Sequence, residues 1–328
     1  MNDSNPSEAK KNYPDLLIDD RITITGRKVF RFHYKKMVDN EKGTKLGADI
    51  EALHDMRVAV RRMRTAIGLF QDYYDPEFVI LLQKSLRKAG KSLGRVRDID
   101  ILIQMLDHDF NVSTPSDSSE NTMFYHSLRN SWIEERVEAR EKMLSYLNGK
   151  KYHRLKNTLK DFVQTPGHDQ DDIEVSAPAK LLLREMASQR FHKVVAYERI
   201  FPSPSLPQLH ALRIAIKQLR YTIEFLRNIL GQEADICIKI LKGIQDYLGD
   251  VNDIHVAINR LAKHAVGIGS CLDDLSMEID IFISQLNSYI RQKETSLDAA
   301  VSSCSDIWYK FDEDEFLHNF TSALATLN

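Results

Sequence analysis

The stretch that decides the fold is His54-Asp55-Met56-Arg57-Val58-Ala59-Val60-Arg61-Arg62-Met63-Arg64, because it is stated a second time as His210-Ala211-Leu212-Arg213-Ile214-Ala215-Ile216-Lys217-Gln218-Leu219-Arg220. One histidine and three cations recur at the same spacing. At about 100° per residue, His54, Arg57, Arg61 and Arg64 fall within roughly 80° of one another on a helix. Met56, Val60, Met63, Ile67 and Phe70 crowd the opposite face, so the period is helical. The phrase therefore predicts two amphipathic helices, each carrying a cationic ridge.

The repetition continues outward from the phrase. Leu93-Gly94-Arg95-Val96-Arg97-Asp98 returns as Leu248-Gly249-Asp250-Val251-Asn252-Asp253, which sets Gly94 and Asp98 155 residues before Gly249 and Asp253. Arg31-Phe32-His33 reappears as Arg190-Phe191-His192, and Arg136 and Arg291 stand 155 residues apart. Four landmarks in one order indicate a duplicated unit.

The 328 residues suffice for two ordinary domains with a substantial core. Gly at 13 and Pro at 9 are sparse, and apolar residues recur every three or four positions with almost no alternation, so the chain reads as all-α. The net charge of −2 hides a segregated distribution. Met56 to Gln71 holds four arginines and no acid, and Phe78 to Arg97 holds six Lys or Arg and no acid, while acids gather at 169–174 and 312–315. Cys237, Cys271 and Cys304 form no C-x-x-C pair, which argues against a disulfide framework or a cysteine zinc site and for a reducing cytoplasm. No stretch approaches a membrane span and no signal pattern opens the chain, so a soluble, unexported protein is expected.

The expected order is a flexible 1–15, a first helical bundle over 16–165, a linker over 166–178, and a second bundle over 179–328. Within the first unit, helices are predicted over Ile22–Val38, Glu51–Asp72, from Glu77 to about Leu106 with a bend or close helix contact at Gly94, Phe124–Leu147 with Trp132, Val137 and Leu144 inward, and Lys151–Val163. Glu41–Asp49 reads as a connector and His108–Asn121 as a loop. The second unit repeats the order over Pro178–Arg199, Pro207–Leu230, Glu233–Ile258 and Met277–Ala300. The two bundles are expected to pack with pseudo-twofold symmetry.

Surface helices usually intersperse Glu with Lys or Arg, because like charges four residues apart cost a few tenths of a kcal/mol. These helices forgo that compensation in both units. Lys84, Arg87, Lys88, Lys91 and Arg95 add a further cationic face within roughly 100°. Ridges brought together repel by about 1 to 3 kcal/mol per close pair before screening, so an anion is expected between them. Arg forks and mobile Lys charges suit phosphate. Neither base-edge readers nor interleaved stacking aromatics are present, which makes nucleic acid the poorer partner. His54 and His210 lack H-x-x-x-H or H-E-x-x-H partners, so no metal and no cofactor are expected. Each imidazole is read either as a buried side chain bonded to a neighbouring helix or as a direct ligand contact. Asp98 and Asp253 are read either as helix caps or as partners that hold a ridge arginine in place.

The duplicated H-x-x-R-V/I-x-x-R/K-x-x-R phrase followed by L-G-x-V-x-D resembles the CHAD family, named for its conserved-histidine α-helical domain, over about residues 15 to 328. The resemblance implies two four-helix bundles in pseudo-twofold symmetry, a basic surface or cavity at their junction, and binding of inorganic polyphosphate, often at polyphosphate granules. Carried over by position, the implied ligand residues are His54, Arg57, Arg61 and Arg64 with His210, Arg213, Lys217 and Arg220. Lys84, Arg87, Lys88, Lys91 and Arg95 join them, as do the repeated Arg31, Arg190, Arg136 and Arg291, with Asp98 and Asp253 behind. Lys84 and Arg87 map to Lys239 and Lys242, but Lys88, Lys91 and Arg95 map to Gly243, Asp246 and Asp250, so the site is expected to be lopsided. Some relatives carry a triphosphatase domain marked by an E-x-E-x-K strand, a motif not found here. A cytoplasmic binding protein without catalysis is expected, with other granule proteins as further partners. The alternatives are a phosphatase or phosphotransferase using the repeated histidines, or a scaffold docking nucleic acid or an acidic protein.

Overall fold

The computed structural model describes residues 13–47, 49–111, 119–164, 179–201, 203–269, 277–309 and 314–327, and among them there is no strand. The protein is all-α. Its helices are α1 (Ile22–Asp39), α2 (Glu41–Leu46), α3 (Ile50–Phe70), α4 (Pro76–Asn111), α5 (Ser119–Leu147), α6 (Lys150–Gln164), α7 (Ala179–Val195), α8 (Leu206–Phe225), α9 (Arg227–Leu230), α10 (Glu233–Gly269), α11 (Met277–Ser302), α12 (Cys304–Tyr309) and α13 (Asp314–Ala325).

Local chemistry sets the ends of the helices that matter here. The Asp49 carboxylate accepts from the Glu51 amide at 2.8 Å and opens α3. The Asp75 carboxylate accepts from the Phe78 amide at 2.7 Å ahead of α4, whose first residue, Pro76, has no N–H to satisfy. At the start of α8 the Gln208 side chain accepts from the Ser205 amide at 2.9 Å, and Pro207 pre-sets the first turn. Inside, Met56, Val60 and Met63 of α3 and Leu86, Ala89 and Leu93 of α4 are fully buried, so the apolar stripes opposite the ridges form the core.

Helices α1 to α6 pack mainly on one another, as do α7 to α13, and α1–α7, α3–α8 and α5–α11 contacts join the two sets. Charged groups cross that junction. Arg62 meets Glu224 at 2.7 Å, Arg260 pairs with Glu135, and Asp109 takes Lys293 and, at 2.5 Å, the Tyr289 hydroxyl.

Several expectations change. α4 and α10 run unbroken through Gly94 and Gly249, because the cost of about 1 kcal/mol for a helical glycine is small beside the burial of Leu93 and Leu248 around it, and of the two readings of Gly94 the close helix contact is the one that holds. The connector before α3 contains α2, closed by Gly47 at φ 72°, a left-handed conformation that glycine adopts without strain. The Arg140 side chain secures this corner by donating to the carbonyls of Lys45 and Leu46 at 2.8 and 3.0 Å. The predicted loop 108–121 is helical at both ends, with 112–118 outside the described residues, as is the predicted linker 166–178. Val137 is 51 % exposed, since Leu128, Trp132, Ala139, Met143 and Leu147 define a buried stripe on the other side of α5. α12 and α13 were not foreseen; Phe320 and Phe316 of α13 stack on Phe191 of α7 with centroids 4.8 and 6.1 Å away.

Candidate functional site

Helices α3 and α8 lie against each other, which brings the two ridges together. Lys217 reports the result. Burial first, and then Arg61, Arg213, Arg57 and Arg64 in that order, pull its pKa from 10.5 down to about 8. Arg61 is likewise lowered by burial, with Arg57, Arg220 and Arg62 adding to the effect and Tyr221 opposing it.

Beside this junction a cavity of about 550 Å³ opens between α3, α7 and α8. Arg61, Arg64, Lys217, Arg190 and Lys193 are among its walls. Arg190 donates to the Gln218 carbonyl at 3.2 Å, and burial lowers its pKa to about 10. Among the described residues, Arg61, Arg64, Arg190, Arg213 and Lys217 have no carboxylate within ion-pair distance, whereas the buried Arg220 and Lys293 are each paired with one.

The L-G-x-V-x-D phrase now has a physical meaning. A Cβ on Gly94 would lie 3.4 Å from Arg57 Nε, and one on Gly249 would lie 3.5 Å from Arg213 Nη2. Each glycine is a notch in which a ridge guanidinium rests on the neighbouring helix. Gly90 does the same more loosely for Arg64, whose Nη1 would stand 3.7 Å from an added Cβ. Asp98 takes the second role considered for it, accepting from Arg57 at 3.1 Å. Neither aspartate caps a helix, as both lie mid-helix. Burial raises the Asp98 carboxyl above its ordinary range, Arg57 pulls it down, and Asp253 adds to the rise, so the two repeated aspartates lie near each other. Asp253 itself accepts from the Asn252 side-chain amide at 3.3 Å.

Lys84, Arg87, Lys88 and Lys91 are exposed along α4, and Arg87 and Lys91 share a helical stripe with Gly90 and Gly94. Lys88 lies against Lys151 of α6, which lowers its pKa. On α10 the corresponding stretch carries Asp246 and Asp250, and burial, Asp253 and Asp246 raise the Asp250 carboxyl.

Other expected ligand residues are engaged inside the fold. Arg220 is 8 % exposed, pairs with buried Glu224 and donates to Gln245 at 3.1 Å. Arg62 shares Glu224, and the guanidinium carbons of Arg220 and Arg62 sit 4.7 and 5.2 Å from the Tyr221 ring centre. Arg31 donates twice to the Val163 carbonyl near the end of α6, at 2.6 and 3.1 Å. Arg136 pairs at 2.5 Å with Asp100, which is 3 % exposed. Arg95 pairs with Glu135, the carboxylate that also holds Arg260. Arg291 is exposed on α11. The half-buried His54 has its pKa lowered by burial and then by Arg97, and His210 is exposed with Nδ1 donating to Asn252 Oδ1 at 2.8 Å. Neither histidine lines the cavity. Sequence reasoning missed Lys193 and Lys151, which belong to no repeated phrase, and the Glu224 counter-ion.

Among the described residues no cluster of three or more His, Cys, Asp or Glu is placed to hold a metal, and no helix is long and apolar enough to cross a membrane. Cys237 and Cys304 are free and buried, and burial raises their thiols to about 12 and about 11. Cys271 lies outside the described residues.

Fold and site together define a helical protein in which two cationic ridges meet beside a cavity. Residues 28–262, a span that contains both histidine phrases, match the CHAD domain, and the chain belongs to that family. The family has a general association with polyphosphate. The crystal structure of the CHAD domain from the plant Ricinus communis is 22 % identical, covers 88 % of this chain and 93 % of that one, and superposes with a TM-score of 0.66. PptA from Streptomyces chartreusis is 14 % identical, with 88 % and 98 % covered and a TM-score of 0.61. These two likenesses establish a shared fold. Comparison with the curated proteins finds no match.

Proposed function

We propose that this protein binds inorganic polyphosphate in the cleft where α3 and α8 meet, and that the α4 cations extend the path. The observation that carries the reading is that Arg61, Arg190 and Lys217, all largely buried, line one cavity with no carboxylate partner among the described residues. Leaving buried charge uncompensated costs several kcal/mol, a cost that a multiply charged anion removes. The family's association with polyphosphate supports this class of anion.

The ligand set in this reading is Arg57, Arg61, Arg64, Arg190, Lys193, Arg213 and Lys217, continued by Lys84, Arg87, Lys88, Lys91 and Lys151. Asp98 holds the Arg57 fork in place. The path is one-sided, because Asp246 and Asp250 stand where α10 would have to continue it. The chain is read as two copies of one helical unit, residues 16–165 and 179–328, related by a pseudo-twofold axis; the paired Arg57–Gly94 and Arg213–Gly249 notches and the proximity of Asp98 to Asp253 support this. The role is targeting or organisation of polyphosphate granules in the cytoplasm, alongside other granule proteins and without catalysis.

Long-chain polyphosphate titrated into the protein at several salt concentrations tests the reading. Affinity falls steeply with salt, since each neutralised phosphate releases counterions. Arg64→Glu and Lys91→Glu each weaken binding at least about tenfold, a loss of roughly 1.4 kcal/mol. Lys142→Glu, on the exposed face of α5 where Lys142 meets Glu138 at 3.3 Å, changes little. Equal effects at all three positions would overturn the site.

A further inference from the structure

The cavity between α3, α7 and α8 contains more chemistry than a chain of phosphates uses. Its cationic part is Arg61, Arg64, Lys217, Arg190 and Lys193. Its remaining wall is of another kind, with Asp72 and Tyr73 from the turn that follows α3, Glu185 from α7, and the apolar Leu182 and Met186. Asp72 and Glu185 both lie close enough to Tyr73 to raise its phenol pKa, after burial as the first cause, so the three form one group. Glu185 accepts from the Gln189 side chain at 3.0 Å. A phosphate chain filling the cavity would bring its own negative charge to those two carboxylates and leave the ring and the apolar wall without a partner.

We propose that this cavity takes a nucleoside polyphosphate, with its phosphates on Arg61, Lys217 and Arg190 and its base against Tyr73, Leu182 and Met186. An aromatic ring is a general platform for a base, and a carboxylate accepts hydrogen bonds from base N–H groups while repelling phosphate. The two ends of the cavity therefore fix which way round the molecule lies. The volume of about 550 Å³ lies within the range of small-molecule sites. The inference shares Arg61, Arg190 and Lys217 with the polyphosphate reading but rests on Asp72, Tyr73 and Glu185, which that reading does not use.

Calorimetric titration of the full chain with GTP, ATP and inorganic tripolyphosphate, in EDTA so that no divalent cation bridges to the carboxylates, tests it. At least one nucleotide binds tenfold or more tightly than tripolyphosphate. Tyr73→Ala removes that advantage and leaves tripolyphosphate binding unchanged, whereas Lys217→Ala weakens both. Glu185→Gln, an exposed and isosteric change, weakens the nucleotide and tightens tripolyphosphate, opposite shifts that a loss of folding does not produce. Tripolyphosphate binding as tightly as both nucleotides, or a Tyr73→Ala protein that melts normally and keeps the advantage, overturns the inference. Long-chain polyphosphate is titrated in parallel. Its binding without a nucleotide advantage sinks this inference alone, and the loss of both sinks the shared cationic site.

Discussion

Raising the pH from 7 to 9 should weaken long-chain polyphosphate binding through one side chain, Lys217. In the free protein its pKa is about 8, pulled down from 10.5 by burial and by Arg61, Arg213, Arg57 and Arg64. The ammonium is then about 90 % populated at pH 7 and about 10 % at pH 9. A phosphate chain that supplies the missing negative charge restores the charged form, so binding at pH 9 must first add a proton. The apparent affinity drops about tenfold over this range, or roughly 1.4 kcal/mol. Internal phosphates of a long chain do not titrate in this window, so the ligand contributes no comparable slope. Lys217→Arg keeps its charge throughout and should bind with a flat profile. Filter binding or fluorescence anisotropy at constant ionic strength reads the effect. A flat profile for the unaltered protein, or the same tenfold drop in Lys217→Arg, would refute the assignment of Lys217 to the ligand.

The same shift makes a stability prediction of definite sign. Lys217 releases its proton more easily in the folded state, so ligand-free stability rises as pH increases from about 8 toward 10.5, and the charged amine costs up to about 3 kcal/mol near pH 7. Lys217→Met should therefore raise the melting temperature at pH 7 while weakening polyphosphate binding; a lower melting temperature contradicts the buried-charge account. Glu224→Gln leaves the buried Arg62 and Arg220 without their shared counter-ion and should cost about 3 kcal/mol in urea unfolding, part of which the further change Arg62→Met restores. Gly94→Ala should be tolerated, because its Cβ meets Arg57 only at 3.4 Å, whereas Gly94→Leu should displace the guanidinium and weaken binding with little change in helical circular dichroism. His54→Asn and His210→Asn should leave phosphate release from polyphosphate, assayed with magnesium or manganese, at its background level; a magnesium-dependent activity lost in either variant would replace binding with phosphotransfer.

Most of the helices were legible because their signals are local. A 3.6-residue apolar period, a proline at 76 and a repeated phrase need only neighbours in the chain to be read. The meaning of Gly94 was not, since a glycine that breaks a helix and one that admits a side chain from another helix look the same in sequence. The site was half legible. Arg64 and Arg220 occupy the same place in the phrase, yet Arg64 is exposed in the cavity wall and Arg220 is buried against Glu224. Arg31 and Arg190 also match, yet one holds a carbonyl at the end of α6 and the other lines the cavity.

Helix periodicity and charge order are properties of contiguous residues, so the all-α class, the duplicated phrase and the acid-free cationic stripes can be read along the chain. Which cations remain without a counter-ion cannot be read that way. Neutralisation depends on groups that meet across the fold, as Arg62 meets Glu224, and on how far burial strips water from each charge. Lys217 acquires its lowered pKa because α3 lies against α8, and no run of residues around position 217 contains that contact.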